Sequence, residues 1–127
     1  MTLDHVRDYL AQPRHAVLAT LGADGAPHQA VVHYLPTGDG LIVNGRPARQ
    51  WAKNLRRDPR VSVVIHDFER PLHWVGIKGS AELVAEGEAA VADAMTIAER
   101  SGEDPEDYRN LERVSFVIAP RRVFEFG

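Results

Sequence analysis

Cysteine is missing from the chain altogether. That excludes disulfides, thiolate metal sites and cysteine nucleophiles. No apolar run approaches the roughly 18 residues of a membrane-spanning helix. The opening segment, MTLDHVRDYLAQPRH, carries acids and lacks an apolar core, so no signal peptide is expected. Serine occurs only at 62, 80, 101 and 115 and never within a Gly-x-Ser-x-Gly elbow, which removes the usual setting of a serine nucleophile. Neither GxGxxG nor a Walker-type phosphate loop is present. Positive charge is not in excess: the net charge is −3 and the estimated pI about 6.0, against the basic balance of a general nucleic-acid binder. A soluble, cytoplasmic protein without nucleic-acid or membrane partners is the expectation.

What is present is an ordinary globular composition, 44% apolar and 26% charged over 127 residues. That suffices for one domain spanning 1–127 with a core of its own. Val6, Tyr9 and Leu10 give the segment 4–11 the spacing of a short amphipathic helix, stopped near Pro13. HAVLATL (15–21) and HQAVVHY (28–34) read as strands joined through Asp24-Gly25, a strong hairpin signal. A turn over 36–40 leads to the strand LIVN (41–44). A helix is predicted over 49–57, with Trp51, Ala52 and Leu55 on one face, ending before Pro59. VSVVIH (61–66) and HWVGIKGSAELVA (73–85) are strands, the second bent or closely approached at Gly76 and Gly79. An alanine-rich helix follows over 86–100, with Gly102 just beyond it, and a short helical turn starts at Asp104-Pro105. VSFVIAP (114–120) and VFEF (123–126) form two strands, or one interrupted by Pro120. Hairpin-linked short strands with a few helices predict a mainly β fold with helices (α+β), a small barrel with helical decoration.

The histidines do not fall into a metal-ligand pattern. His28 and His33 lie on opposite strand faces, and His66 and His73, which can meet across a hairpin, have no further ligand at suitable spacing. No metal is expected. The paired carboxylates Glu86 and Glu88, and Glu103 and Asp104, stand at helix starts, where the macrodipole favours them.

The basic run is the most informative stretch. Arg46, Arg49, Lys53, Arg56, Arg57 and Arg60 crowd into RPARQWAKNLRRDPR. Arg56, Arg57 and Arg60 fall at the helix C-terminus, where cations suit the dipole. Arg46, Arg49 and Lys53 span a strand end, a loop and the first helical turns, a corner that offers an anion free N–H groups, a guanidinium fork and an ammonium. On local physics alone a phosphate corner and a solvated helix start both remain open. A single aromatic, Trp51, gives no stacking platform for nucleic acid.

Taken in order, HAVLATLGADGAPHQAVVHYL, LIVN, RxxxKNLRRDPRVSVVI and HWVGIKGSAELV resemble the pyridoxamine 5′-phosphate oxidase-like split β-barrel superfamily, over nearly the whole chain. Within it the chain is similar to the short members that bind the deazaflavin coenzyme F420. The resemblance implies a six-stranded split barrel that dimerises, with cofactor sites along the dimer interface. It places His28 and Val32 along the ring system and Asn44 at the strand end beside the cofactor. Ala48, Arg49, Gln50, Trp51 and Ala52 would form the phosphate corner, with Lys53 and Asn54 completing it and Trp74 as an aromatic near the cofactor. Where F420-binding relatives commonly read R-x-K-x-R-N, this chain has Trp51 at the middle lysine, so one cationic contact is missing. Arg46 is its candidate replacement.

The activity implied is an F420-dependent oxidoreductase passing a hydride to an unsaturated small-molecule acceptor. His28, His33 and Tyr34 are the titratable candidates near the site, with no catalytic residue assigned. An FMN-dependent oxidase or reductase of the same superfamily, and a non-enzymatic binder of flavin, F420 or haem, are the alternatives.

Overall fold

Alternation along β1 (His15–Leu21) puts Ala16, Leu18 and Thr20 on one face, and all three are buried. The same period recurs in β4 (Arg60–His66), which buries Val61, Val63 and Ile65. A sheet with one apolar face must cover it, and here the sheet closes on itself. In the computed structural model, which describes residues 3–127, six antiparallel strands form a closed barrel in the order β1-β2-β3-β6-β5-β4. The other strands are β2 (Pro27–Thr37), β3 (Gly40–Gly45), β5 (Trp74–Glu86) and β6 (Val114–Phe126). Their inward residues, among them Tyr34, Leu41, Val43, Val75, Ile77, Phe116 and Ile118, make one continuous core.

Closure follows from local signals in most places. Gly25 adopts φ +83° in the β1–β2 turn, as the Asp-Gly pair predicts. β2 runs further than the expected 28–34, because Leu35, Pro36 and Thr37 pair with Ile42, Leu41 and Gly40 and leave only Gly38-Asp39 to turn. β6 is one strand rather than two. Lys78 faces Arg122 while Gly79 faces Pro120, so Arg121 is the extra residue of a bulge that absorbs the missing proline N–H. Gly79 is obligatory there: a Cβ would lie 2.1 Å from the Ala119 carbonyl oxygen.

The predicted N-terminal helix begins as a 3-10 turn over Asp4–Val6 and continues as α1 (Arg7–Ala11), sending Leu3, Val6 and Leu10 into the barrel core. α2 (Gln50–Arg57) buries Trp51, Ala52 and Leu55 in that core. α3 (Gly87–Arg100) lays Ala90, Ala94, Ile97 and Ala98 toward β2, β3, β5 and β6. It ends at Gly102, φ +79°, where Glu103 N–H donates back to the Ala98 carbonyl at 2.9 Å. A 3-10 turn over Pro105–Tyr108 then leads to β6, capped by Asp104 accepting from Glu106 N–H at 3.0 Å.

Candidate cofactor site

β3 ends at Gly45, which pairs with Val114, the first residue of β6. Antiparallel pairing therefore brings the residues just beyond that pair, Arg46 and Arg113, out of the sheet beside one another. Arg49 follows as the extended residue before α2, its N–H donating to the Arg46 carbonyl at 3.1 Å. These three arginines line one cavity of about 520 Å³ between β2, the β3 end, the start of α2, α3 and the 3-10 turn. The size lies within the ~300–1,000 Å³ of small-molecule sites.

The rest of the wall is largely apolar: Ala30, Val31 and Val32 from β2, Trp51 from α2, and Ala94, Ile97 and Ala98 from α3. Trp51 is itself buried, edge-on to Phe116 with centroids 6.1 Å apart. Gly45 makes room for it, since a Cβ there would come within 2.4 Å of the indole Cζ2.

Of the residues assigned from the resemblance, His28, Val32, Asn44, Arg49, Gln50 and Trp51 stand on this wall. Ala48, Ala52, Lys53, Asn54 and Trp74 do not line it. Ala52 is fully buried in the core. Asn54 is equally buried and structural: it donates to Thr20 Oγ1 at 3.0 Å and accepts from Gln50 Nε2 at 2.8 Å. Lys53 is exposed on the helix, one step round from the cavity-lining Gln50 and Trp51. Trp74 stacks on Phe126, 5.8 Å between centroids and 12° from parallel, in a different depression with Tyr9 and His73. Tyr34 is also removed from the site. Its hydroxyl donates to the Leu10 and Gln12 carbonyls, both at 2.9 Å, and burial raises its pKa.

The basic run divides by partner. Arg56 pairs with Glu86 at 2.6 Å, Arg57 donates to the Leu21 carbonyl at 2.6 Å, and Arg60 pairs with Asp58 at 2.7 Å. Among the described residues no carboxylate lies within ion-pair distance of Arg46, Arg49 or Arg113. Arg113 is half-buried. Burial, then the nearby Arg46 and Arg49 guanidiniums, draw its pKa below arginine's ordinary value against an opposing effect of Tyr108. It remains a cation all the same.

A second group closes the cavity. Tyr108 donates its hydroxyl to Glu103, and Glu103 lies 3.6 Å from His33 Nε2. Ser101 Oγ is 3.3 Å from His33 Nδ1, and the His15 and His33 rings are 4.9 Å apart. The Tyr108 hydroxyl, then His33 and His15, hold the Glu103 carboxyl below its usual range, while Glu103 raises the Tyr108 phenol. His33, Glu103 and Tyr108 all face the cavity.

Sequence reading missed Arg113, Glu103 and Tyr108. A signal existed for Arg113: it precedes the apolar run VSFVIA as Arg46 follows LIVNG, so pairing those two runs antiparallel puts the arginines together. Nothing local reveals that pairing.

Solved structures share this fold. A conserved hypothetical protein from Mycobacterium tuberculosis is 29% identical, with 99% of this chain and 84% of that chain covered and a TM-score of 0.81. An F420 reductase is 24% identical over 93% of this chain and 94% of its own, with a TM-score of 0.79. A haem storage protein from Vibrio cholerae is 21% identical over 100% and 96%, also with a TM-score of 0.79. A search of curated proteins gives no match. The family model for pyridoxamine 5′-phosphate oxidase matches residues 2–127. With a match of that extent on a closed six-stranded barrel, the chain belongs to the pyridoxamine 5′-phosphate oxidase family.

Proposed function

We propose that this protein is an oxidoreductase that binds coenzyme F420 and passes a hydride from its reduced form to an unsaturated small-molecule acceptor, such as a conjugated enone or imine. One observation carries the reading: a single cavity joins three arginines, which among the described residues have no carboxylate at ion-pair distance, to a long apolar wall. A planar ring system with an anionic tail has that same division of character. The similarity to an F420 reductase supports the choice of ring.

When bound, the deazaflavin would supply the hydride chemistry. The chain's own residues do the rest. Arg46 and Arg49 neutralise the anionic end, and Gln50 adds a neutral polar side chain beside them. Val32, Trp51 and Ile97 exclude water from the ring, which strengthens every charge interaction within. His28, His33 and Tyr108 are the titratable groups on the wall from which a reduced acceptor can draw its proton, while the Glu103 carboxylate accepts from Tyr108.

The active form is a homodimer in this reading. On the outer barrel face Val31 pairs with Val17, Val17 with Val64, Val64 with Gly76 and Gly76 with Phe124. Directly opposed residues share a face, so these five form one apolar belt across five strands. Val31 is 68% exposed, which favours covering the belt with a second copy.

FMN is the second reading, favoured by the number of arginines, because its phosphomonoester carries two negative charges. The haem storage neighbour supports a third, a non-catalytic binder. A fluorescence titration with F420 and FMN, repeated on Arg49→Ala, separates them. F420 binding weakened by the substitution, with turnover of an enone, supports the proposal. Preference for FMN replaces the coenzyme, stoichiometric binding without turnover favours the binder, and binding of neither ring removes the oxidoreductase reading.

A further inference from the structure

The hydrogen bonds behind the arginine cluster all run in one direction. Arg113 Nε donates to Asn44 Oδ1 at 2.8 Å. Asn44 Nδ2 donates to Ser115 Oγ at 2.9 Å and to the Ala90 carbonyl at 2.8 Å. Ser115 Oγ donates to Asp93 Oδ2 at 2.8 Å. A guanidinium can only donate and a carboxylate can only accept, so the amide and hydroxyl between them have one orientation. Asn44 and Ser115 are buried, which makes a broken link in this chain costly. The arrangement clamps Arg113 by its Nε edge, and the Tyr108 ring lies 5.2 Å beneath the guanidinium carbon.

Asp93 makes no direct ion pair with Arg113; the uncharged Asn44 and Ser115 side chains stand between them. Three like charges therefore share one end of the cavity. Water and salt screen the exposed Arg46 and Arg49, and a bound anion relieves their repulsion of the half-buried Arg113 further.

We infer that Arg113, held from behind by the chain through Asn44 and Ser115 to Asp93, is the fixed arm of the cavity's anion site. Arg113 supplies from β6 the cation that the helix lacks at Trp51. The inference rests on the cavity being a ligand site, as proposed above, and not on which ring the ligand carries.

Calorimetric titration of the full chain with pyrophosphate and with inorganic phosphate at low salt tests it. Wild type binds pyrophosphate more tightly than phosphate. Arg113→Gln weakens pyrophosphate by about tenfold or more, as loss of a charge-assisted contact requires. Arg113→Lys keeps the charge without the Nε clamp and loses less, and Ser115→Ala, which cuts the chain from Asp93 without changing the cavity charge, weakens binding while the melting curve stays cooperative. Arg56→Gln, outside the cavity, leaves binding unchanged. Pyrophosphate affinity equal in wild type and in a folded Arg113→Gln, or no pyrophosphate binding by wild type, overturns the inference. Titrations with F420 and FMN keep the two claims apart. Pyrophosphate binding lost with Arg113, when neither coenzyme binds, retains the anion site and removes the coenzyme. F420 binding that Arg113→Gln does not touch retains the coenzyme and removes Arg113.

Discussion

Asn54 donates its side-chain amide to the Thr20 hydroxyl at 3.0 Å, in a place where neither side chain reaches water. The bond pins α2 to β1. α2 carries Gln50 and Trp51 into the cavity, so a polar contact in the core sets the position of the site. Arg57 and Gln50 both donate to the same Asn54 oxygen, at 3.2 and 2.8 Å. Thr20→Val keeps the shape and leaves the amide with a missing acceptor, which costs about 1–3 kcal/mol. Asn54→Ala costs a similar amount. The double variant loses less than the sum, because the second substitution has no bond left to break. Urea denaturation of the three variants measures the coupling, and additive losses would show that the bond contributes nothing.

Gly45→Ala is expected to act on stability and on binding together. Its new Cβ meets the Trp51 ring at 2.4 Å, and the ring is held from behind by Phe116. Overpacking of this kind costs about 1–3 kcal/mol. Gly76→Ala is the comparison, with a contact of 3.1 Å to Trp74, whose partly exposed ring has room to move. Thermal melts should rank Gly45→Ala well below Gly76→Ala. The reverse order would mean that Trp51 is free to shift.

The contrast between Trp51 and Arg113 shows what the sequence discloses. Trp51 belongs to an apolar helix face read from spacing within a few residues, and its burial follows from that spacing. The β1–β2 hairpin is equally local, because Asp24-Gly25 fixes its turn and the alternation fixes its faces. Arg113 owes its place to β3 pairing with β6, strands that α2, β4, β5 and α3 separate in the chain. Long-range pairing has no short-range signature. The same holds for Glu103 and Tyr108, which reach the cavity through the Gly102 turn after α3. The structural role of the Asn54 amide is illegible in the sequence for a related reason. A resemblance transfers a position in the chain, and burial of this side chain depends on Thr20 in another element.

Acid should release the turn between α2 and β4 ahead of the barrel. The Asp58 carboxyl accepts from the Arg60 side chain and backbone N–H and is lowered from 3.8 to about 2. A carboxylate depressed on folding stabilises the native state above its unfolded pKa and loses that contribution as pH falls through the folded value. The window is therefore from 3.8 down to about 2. The pair is solvent-exposed, so its effect on global stability is small and the local titration is the sensitive readout. In a carboxylate NMR titration Arg60→Ala moves the Asp58 midpoint up toward 3.8. A midpoint that stays near 2 would place the cause elsewhere.

The outer belt gives the last prediction. Val31 is exposed in the centre of β2 and in register, through Val17, with Val64. Val31 also lines the cavity beside its neighbour Val32, so the belt reaches the cavity along this strand. Val64, on the same belt but off the cavity wall, takes the test: a charge there buried between two copies would have no partner, and Val64→Glu should convert a dimer to a monomer while the barrel stays folded. Light scattering after size exclusion reads the mass, and circular dichroism reads the fold. If the belt also borders a shared site, the monomeric variant loses coenzyme affinity although Arg46, Arg49 and Arg113 are untouched. A folded monomer that binds as tightly as wild type would confine the whole site to one chain. A wild type that is monomeric at micromolar concentration would leave the apolar belt without the second copy assigned to it.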